Sequence, residues 1–194
     1  MRGDPGNGST SVSTLDLQPT LAGERVRLRP LRTDDFDALY AVASDPEIWA
    51  QHPDRRRHER KHFEQAYFNG AMASGGALVV LERQSNRVIG ATRYYDLNAV
   101  GRELAIGYTF IETRQWGTGV NAEMKRLMLD HAFTWAKVIW FHVGSKNVRS
   151  CRALEKIGAR LSHTAPRTVN GVAHAHAYYQ IAASEYLSVA DTGN

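Results

Sequence analysis

The segment that most constrains the fold runs from residue 103 to residue 135. Its first part, Glu103–Ile111, is rich in β-branched, aromatic and apolar residues, as strands are. A turn with two glycines, Gly117 and Gly119, follows. Glycine lets a backbone turn tightly, and the start of a helix favours an anion such as phosphate. The order strand, glycine turn, helix therefore predicts either a plain structural corner or a phosphate-binding turn. The helical spacing that follows the turn is carried by Val120, Met124, Leu127, Met128, Ala132 and Trp135.

Two common phosphate-binding motifs are missing from the sequence. No Gly-x-x-x-x-Gly-Lys-Ser/Thr occurs, which excludes a P-loop nucleotidase. No Gly-x-Gly-x-x-Gly follows an early strand, so a dinucleotide-binding fold lacks its fingerprint. If the turn binds phosphate, it does so in another fold.

Length and composition indicate one soluble domain. The chain has 194 residues, 43% of them hydrophobic and 23% charged, which is ordinary for a globular protein. Apolar runs such as Ala77–Leu81 are too short to cross a bilayer, and the first residues lack a signal-peptide core. The single cysteine, Cys151, gives neither a disulfide framework nor zinc spacing, so a reducing cytoplasm is the expected compartment. The net charge of +4 permits an anionic cofactor without requiring nucleic acid.

The pattern along the chain predicts an α/β domain with a tail at each end. Residues 1–20 are rich in Gly, Ser, Thr and Pro, so we expect a flexible N-terminal tail, a domain over 21–187 and a short C-terminal tail over 188–194. Val138–Val143 is a nearly continuous apolar strand, which predicts a central strand covered on both faces. Asn147 is a candidate N-cap for the following helix, and Asn170 and Gly171 mark the turn of a final hairpin.

Three ordered segments resemble one known family. Arg114, Gly117 and Gly119 give the Arg-x-x-Gly-x-Gly spacing of the acetyl-CoA loop in the GNAT superfamily of N-acetyltransferases. Residues 147–158 read Asn-x-x-Ser-x-x-x-Leu-Glu-Lys-x-Gly, and 23–32 resemble an opening strand; both are similar to the RimJ/RimL-like branch. The segments occur in the family's order and together span about residues 21–187.

The resemblance implies a fold and an activity. The expected fold is the GNAT fold, α/β (α+β), a single domain with a mixed, mostly antiparallel central sheet flanked by helices. The expected activity is acetyl-CoA-dependent N-acetylation by direct attack of a primary amine, which belongs either to a protein N-terminus or to a small molecule. Acetyl-CoA is the co-substrate, and no metal is expected. A homodimer is compatible with the resemblance.

The resemblance also implies a cofactor site. Backbone N–H groups of Gln115 to Val120 would surround the pyrophosphate, Arg114 would add charge, and the pantetheine arm would lie beside the end of the 103–111 strand. Asn147 is then a cap, a pantetheine contact or both, and Arg152 either reaches a phosphate or lies on the surface. The expected cofactor-binding residues are Phe110, Ile111, Arg114, Gln115, Trp116, Gly117, Thr118, Gly119, Val120, Asn121, Asn147 and Arg152.

The expected catalytic residues are Ser150 and Glu103. Ser150 matches the motif serine, a candidate acid for the leaving thiolate, and the alternative is an ordinary hydroxyl that bonds back to its helix. The sequence departs from the family pattern at Ala105, where relatives often carry a glutamate base. Glu103 lies two residues earlier on the same strand face and is the first candidate base. Proton loss through ordered water or to His142 stays open.

Other features of the sequence raise two further hypotheses and the question of a metal site. Because of Ala105, the chain could be a non-catalytic acyl-CoA-binding or regulatory module. The basic run Arg55–Lys61 is either a solvated helix face or a surface for an acidic acceptor or RNA, and nucleic acid is the less favoured partner. His58 and His62, like His174 and His176, share a face, but no carboxylate or cysteine stands near either pair at ligand spacing, so no metal site is predicted.

Overall fold

The computed structural model describes residues 14–186, and its centre is one eight-stranded sheet. The strand order is β1-β2-β3-β4-β5-β6-β8-β7. Every neighbouring pair is antiparallel except β5 and β6, which are parallel. The predicted mixed, mostly antiparallel sheet is confirmed. The strands are β1 (Leu21–Ala22), β2 (Val26–Pro30), β3 (Ala77–Glu82), β4 (Val88–Asn98), β5 (Glu103–Ile111), β6 (Val138–Gly144), β7 (Arg160–Val169) and β8 (Val172–Ala182).

Helices cover both faces of the sheet. In β3, Leu78 and Val80 point into one core with α5, whereas Val79 and Leu81 point into a second core with α1 to α4. This alternation is the two-residue period of a strand covered on both sides. A π-helical turn, Glu64–Phe68, joins α3 to α4. The helices are α1 (Phe36–Ala43), α2 (Pro46–Trp49), α3 (Arg60–Phe63), α4 (Asn69–Ala73), α5 (Val120–Ala132) and α6 (Val148–Lys156).

The strand β6 is central, as predicted, but it is not covered on both faces. Ile139 and Phe141 are buried in the core on the α5 side. Trp140 and His142 point to the other face and are only partly buried. The reason is that the core formed by α1 to α4 extends along the sheet no further than Phe110 of β5. This half-open face of β6 borders the site described below.

The described part of the expected N-terminal tail packs on the domain. Leu15 is buried in the core on the α5 side, and His131 Nε2 donates to the carbonyl oxygen of Asp16 over 2.7 Å. The described part of the expected tail therefore contacts the domain through Leu15 and Asp16, and the flexibility of the tail stays a prediction. The rest of that tail, residues 1–13, and residues 187–194 lie outside the described residues.

Candidate functional site

The two parallel strands at the centre of the sheet separate after three residues. Glu103, Leu104 and Ala105 of β5 pair with Val138, Ile139 and Trp140 of β6, and the pairing stops there. Further along, β5 pairs only with β4, and β6 only with β8. The edges of β5 and β6 that face each other therefore open a wedge, the space between residues 106–111 and 141–144. Unpaired backbone N–H and C=O groups on a strand edge can bind an extended ligand.

Two helices begin at the open end of this wedge. α5 starts at Val120 after the loop that leaves β5, and α6 starts at Val148 after the short turn that leaves β6. Asn147 caps α6, since its Oδ1 accepts a hydrogen bond from the Ser150 N–H over 3.2 Å, so the predicted capping role is confirmed. The first N–H groups of each helix lack partners within the helix and carry the positive end of the helix dipole. The open end therefore favours an anion.

The loop between β5 and α5 holds its shape through two glycines and one arginine. Gly117 and Gly119 have φ of 79° and 89°, the left-handed region that glycine adopts without strain. A Cβ on Gly117 would meet no atom within 4 Å, so backbone conformation rather than crowding calls for glycine there. Arg25 Nη1 donates to the Thr118 carbonyl over 3.0 Å, and Thr118 Oγ1 donates to the Gln115 carbonyl over 2.8 Å.

Three predicted side chains of this loop are held by hydrogen bonds to neighbouring residues. Arg114 Nε donates to Glu112 Oε1 over 3.1 Å, Gln115 Nε2 to Glu82 Oε1 over 3.3 Å, and Trp116 Nε1 to the Ile111 carbonyl over 3.2 Å. These contacts anchor the loop to the ends of β3 and β5. The N–H groups of Gln115, Trp116 and Thr118 donate to the backbone carbonyls of Glu112, Thr113 and Gln115. Those of Gly117, Gly119 and Val120 have no hydrogen-bond partner among the described residues, and they stay predicted contacts of the pyrophosphate, as the family resemblance implies.

The side chains of Phe110, Ile111 and Val120 are buried in the protein. Phe110 packs against Trp49 with ring centroids 5.1 Å apart and the rings tilted by 49°, while Ile111 and Val120 belong to the core on the α5 side. Any contact of these predicted residues with a ligand is therefore made by their backbone. Asn121 is partly buried and Arg152 is exposed, and neither side chain has a hydrogen bond or ion pair with residues 14–186.

Sequence reasoning missed a contact across the mouth of the wedge. The guanidinium carbon of Arg149 lies 3.6 Å from the ring centroid of Trp116. The Arg149 N–H also donates to Gln51 Oε1 over 3.3 Å, and its Nη2 lies 3.7 Å from Glu47 Oε1. One arginine of α6 thus links the loop before α5 with the segment after α1. No local sequence signal marks a contact between positions 116 and 149.

The floor of the wedge contains a buried lysine that sequence reasoning also missed. Lys125 of α5 is 5% exposed; its Nζ donates to Thr109 Oγ1 of β5 over 2.8 Å and lies 5.6 Å from the ring centroid of Phe141 of β6. Burial lowers the pKa of Lys125 to about 7. Its position three residues before Met128, on the buried stripe of α5, was the available signal.

The two predicted catalytic residues lie at different ends of the wedge. Ser150 is in the first turn of α6, partly buried, and its hydroxyl has no hydrogen-bond partner among the described residues, so it does not bond back to the helix. Glu103 is at the closed end, where its Oε2 accepts from Trp140 Nε1 over 3.3 Å. Gly107, where β5 is already free, is about 13 Å further along the strand at ~3.3 Å per residue. Ala105 is buried.

The alternative base, His142, already has its basic nitrogen occupied. Arg167 Nη1 donates to His142 Nδ1 over 2.8 Å, and the Tyr95 hydroxyl lies 3.1 Å from the same nitrogen. Burial and the charge of Arg167 lower the pKa of His142 to about 4. The imidazole is therefore neutral at pH 7, and its lone pair at Nδ1 is engaged by donors. These contacts argue against His142 as the group that takes a proton from an amine.

The basic run Arg55–Lys61 is not one solvated helix face. It spans a 3-10 turn, Arg55–His58, and the start of α3. Arg57 is buried, and its Nε donates to Asp54 Oδ2 over 3.2 Å. Arg56 pairs with Glu59, and Arg60 pairs with Asp37. Internal pairs therefore neutralise much of the run.

A carboxylate does stand near one of the histidine pairs, contrary to expectation. Asp54 Oδ1 lies 2.9 Å from His62 Nε2, a contact made possible because the loop before the 3-10 turn folds back on α3. Within residues 14–186 no three His, Cys, Asp or Glu side chains form a cluster able to hold a metal ion, and the absence of a metal site stays a prediction.

Comparison with known proteins shows the family. The parallel strands separate, and a helix starts after each of them, which leaves an open strand edge between two helix N-termini. The family model of the acetyltransferase (GNAT) domain matches residues 25–160, and the chain belongs to this family. Its general reaction is acetyl-CoA-dependent N-acetylation, an acyl transfer. None of the helices among residues 14–186 has the length and apolar composition needed to span a bilayer.

Solved structures agree with the fold. A GCN5-related N-acetyltransferase from Brucella melitensis is 20% identical, with a TM-score of 0.79 over 90% of this chain and 83% of that one. Mycobacterium smegmatis RimJ in complex with CoA-disulfide is 20% identical, with a TM-score of 0.69 over 89% and 95%. Spermidine N-acetyltransferase from Vibrio cholerae, in complex with CoA and spermine, is 20% identical, with a TM-score of 0.66 over 84% and 98%. At these identities the likeness concerns the fold alone.

Proposed function

We propose that the protein is an acetyl-CoA-dependent N-acetyltransferase of the RimJ/RimL-like type that binds its cofactor in the wedge between β5 and β6. The observation that carries the proposal is the early end of strand pairing at Ala105 and Trp140, which leaves an open strand edge between two helix N-termini. An extended arm with amide groups suits the strand edge, and a pyrophosphate suits a helix N-terminus.

Different residues around the wedge suit different parts of acetyl-CoA. The free edge of β5 near Phe110 and Ile111 supplies backbone partners for the amides of pantetheine. In the loop from Gln115 to Val120, the N–H groups of Gly117, Gly119 and Val120 have no partner among the described residues and suit the pyrophosphate. Asn121 follows Val120 in α5. At the second helix, Asn147 and Arg152 flank the opening, the latter with an exposed guanidinium that has no ion pair among the described residues.

Acetyl-CoA supplies a thioester, whose acetyl group passes to the amine nitrogen as the C–S bond breaks. The protein's part is to orient the amine and to move two protons. Ser150 gives its hydroxyl proton to the sulfur as the C–S bond breaks, a role that its unengaged Oγ permits. The same Oγ recovers a proton from the nitrogen, which loses its second proton as the amide forms. Glu103 accepts the proton of the ammonium group through ordered water, because it lies at the closed end of the wedge, beyond direct contact with an amine in the open part. His142 takes no part as a base.

The acceptor is a primary amine, and both a protein N-terminus and a small amine are compatible with the fold. RimJ from Mycobacterium smegmatis and spermidine N-acetyltransferase from Vibrio cholerae share the architecture. The half-open face of β6 is the side from which an acceptor can approach, since the helices α1 to α4 leave it uncovered.

Calorimetric titration with acetyl-CoA tests cofactor binding. The variant combines Gly117→Val with Gly119→Val, which forces β-branched side chains into left-handed backbone positions. The matched control is Gly75→Val, because Gly75 also has a positive φ of 64°, lies away from the wedge, and would bring an added Cβ within 4 Å of no other atom. We expect saturable binding by the wild type and by the control, and none by the double variant. A folded wild type that does not bind acetyl-CoA would overturn the proposal.

A non-catalytic acyl-CoA-binding module is the second candidate, favoured by the buried Ala105 where a base is common. CoA release in the presence of acetyl-CoA and a panel of peptides and amines separates the two. Turnover of any acceptor supports the enzyme. Tight binding of acetyl-CoA with no CoA release across the panel supports the module.

A further inference from the structure

Arg93 is a buried cation that no carboxylate neutralises. It lies on β4 opposite Gly107 of β5, and the residue is 7% exposed. Its Nε is buried without a hydrogen-bond partner, and no described residue forms an ion pair with its guanidinium. The guanidinium carbon lies 4.2 Å from the ring centroid of Tyr108 and 5.7 Å from that of Tyr67. The two rings fix the plane of the guanidinium but leave its donors unused.

Such an arrangement is costly unless a ligand completes it. Removing a charged group from water without a paired, hydrogen-bonded anion is unfavourable, and arginine has five N–H donors in a planar fork. The tyrosine rings compensate part of that cost by cation–π attraction. A carboxylate matches the fork with two parallel hydrogen bonds. An anionic group of a ligand is therefore the partner that this site lacks.

A second arginine, Arg167, lies near Tyr95, which is a neighbour of Tyr108. Tyr95 packs edge-on against Tyr108, with ring centroids 5.0 Å apart. The guanidinium carbon of Arg167 lies 5.9 Å from the ring centroid of Tyr95, and its Nη1 donates to His142 Nδ1. The nearest carboxylate is that of Asp96, whose Oδ2 lies 3.9 Å from the same His142 nitrogen and whose charge interacts with that of Arg167.

Carboxylates near this aromatic patch are occupied or solvated. Asp54 is engaged by Arg57 and His62. The Asp96 side chain is 59% exposed, and its Oδ2 lies 3.9 Å from His142 Nδ1. Glu103 bonds to Trp140 at the closed end of the wedge. The patch made of Arg93, Tyr95, Tyr108, His142 and Arg167 is therefore positively charged, and we call it the cationic patch.

The cationic patch adjoins the opening on the side opposite α5. Tyr67, from the helical segment between α3 and α4, donates its hydroxyl hydrogen to the Tyr108 carbonyl over 2.7 Å, which places Tyr108 under that layer of helices. Tyr108 itself has a φ of 51°, at an irregularity of β5 next to the point where the strand becomes free.

We propose that Arg93 binds a carboxylate of the acceptor, so that the preferred substrate is a primary amine that also carries a carboxylate. This inference rests on the proposed N-acetyltransferase function and specifies its acceptor. Polyamines are disfavoured because their ammonium groups meet the unpaired charge of Arg93. The carboxylate belongs either to a free amino acid or to an acidic residue at a peptide N-terminus, and both sources offer the same chemistry to the patch.

Matched pairs of acceptors test the inference. In the CoA-release assay, glycine, β-alanine and 4-aminobutyrate are compared with their carboxamides, aspartyl peptides with asparaginyl peptides, and both sets with spermidine. We expect the carboxylate member to have the higher kcat/KM by about 10- to 100-fold, as for a hydrogen-bonded charged contact. The set of acceptors that shows this ratio, amino acids or peptides, identifies the source of the carboxylate. Equal kcat/KM for acids and amides in every arm overturns the inference while leaving the N-acetyltransferase proposal intact.

Three variants test whether the cationic patch causes the preference for acceptors that carry a carboxylate. In Arg93→Met we expect the acid-to-amide ratio to fall close to one while turnover of the amides persists. Arg93→Lys keeps the charge but not the planar fork, so it should retain part of the ratio. Arg126→Met removes one positive charge from the exposed side of α5 and should leave the ratio unchanged. An unaltered ratio in a folded Arg93→Met variant counts against the proposed role of Arg93.

Binding separates this inference from the function on which it rests. If no acceptor is turned over, calorimetric titration of the protein with 4-aminobutyrate and with aspartyl peptide, in the presence of CoA, still reports on the patch. Saturable binding that is lost in Arg93→Met supports the carboxylate site even though the enzyme proposal fails. No binding of either probe, together with no turnover, rejects both.

Discussion

Lys125 donates its only hydrogen bond among the described residues to Thr109, from Nζ to Oγ1 over 2.8 Å. Thr109 Oγ1 in turn lies 2.9 Å from Thr92 Oγ1. The hydroxyls of Thr109 and Thr92 therefore form a hydrogen-bonded series that solvates the Lys125 ammonium group between α5 and the sheet. This series includes no carboxylate. This is the floor of the wedge, so a group that changes charge near neutral pH lies under the proposed cofactor site.

Substituting Lys125 should raise stability below neutral pH. Its pKa is about 7 in the folded protein and ~10.4 when unfolded, so the unfolded chain binds more protons between these values. The free energy of unfolding should then rise as the pH increases through that window, and the penalty is fully present below about pH 7. Lys125→Met removes the buried charge while conserving length and flexibility.

Urea unfolding at pH 6, 7, 8 and 9 measures the effect. We expect Lys125→Met to be the more stable protein at pH 6 and to show a flatter pH dependence than the wild type. Lys156→Met, at an exposed position of α6, serves as the control and should follow the wild-type curve. A Lys125→Met protein that is less stable at pH 6 would show that the ammonium group makes a net favourable contact.

We expect Asp54 to contribute far more to stability than Asp37, although each carboxylate pairs with an arginine. Its side chain is 2% exposed and bonds to Arg57 and His62. Burial alone would raise the pKa of Asp54, but hydrogen bonds from Asn170 and His62, with the charge of Arg57, hold the pKa below its ordinary value. Asp54→Asn leaves Arg57 buried without its anion and should cost about 3–5 kcal/mol of unfolding free energy.

Asp37→Asn is the matched control, because Asp37 also pairs with an arginine, Arg60, but its side chain is 81% exposed. Removing an exposed pair should cost no more than about 1 kcal/mol. Urea unfolding at pH 7 compares the two variants. Similar losses in both would mean that the Asp54 cluster contributes no more than a surface pair.

The sequence pattern predicted those parts of the site that are determined by residues close together in the chain. The glycine turn, the start of α5 and the Asn147 cap each depend on residues within a few positions of one another, and the sequence contained that information. The wedge itself was not predicted, because no local feature shows that pairing between β5 and β6 stops at Ala105. The coverage of Val138–Val143 was wrong on one face for the same reason: an apolar run does not reveal how far a distant layer of helices extends.

The cationic patch was beyond local pattern altogether. Arg93, Tyr108 and Arg167 come from three strands, and their contacts depend on strand order and on the irregularity at Tyr108. Arg57 departs from the interpretation of the basic run as a solvated face for a similar reason. It is buried, and its guanidinium carbon lies 5.6 and 5.7 Å from the ring centroids of Trp49 and Tyr67. Long-range contacts decide which arginines are solvated and which are held in the protein.

Removing the charge of Arg167 should raise the pKa of His142. Burial is the main reason that this pKa is about 4, and the charge of Arg167 is the next. In Arg167→Met the pKa should move part of the way back toward 6.5, measured by NMR titration of the imidazole protons. Arg160→Met, an exposed position on the same strand, should not move it. An unchanged pKa in Arg167→Met would mean that burial alone holds His142 neutral.

The contact between Arg167 and His142 also affects the stability of the protein in acid. Because the folded pKa of His142 lies below the unfolded value, the unfolded state binds more protons between about pH 4 and pH 6.5, and stability should fall as the pH drops through this window. The slope in this window should be smaller in Arg167→Met than in Arg160→Met. Urea unfolding at pH 4.5, 5.5 and 6.5 compares the slopes.

Glu103 should affect turnover without affecting cofactor binding. It lies at the closed end of the wedge and accepts from Trp140 Nε1, so a proton would reach it only through water. If it is the base, Glu103→Gln should lower kcat by about 10²- to 10⁴-fold, the usual contribution of general acid–base catalysis. The dissociation constant of acetyl-CoA, measured by calorimetry, should be unchanged. Trp140→Phe keeps the carboxylate and removes only its donor, so it should lower kcat less. Wild-type kcat in Glu103→Gln across pH 6 to 9 would instead leave solvent water as the proton acceptor, because His142 is already engaged by Arg167.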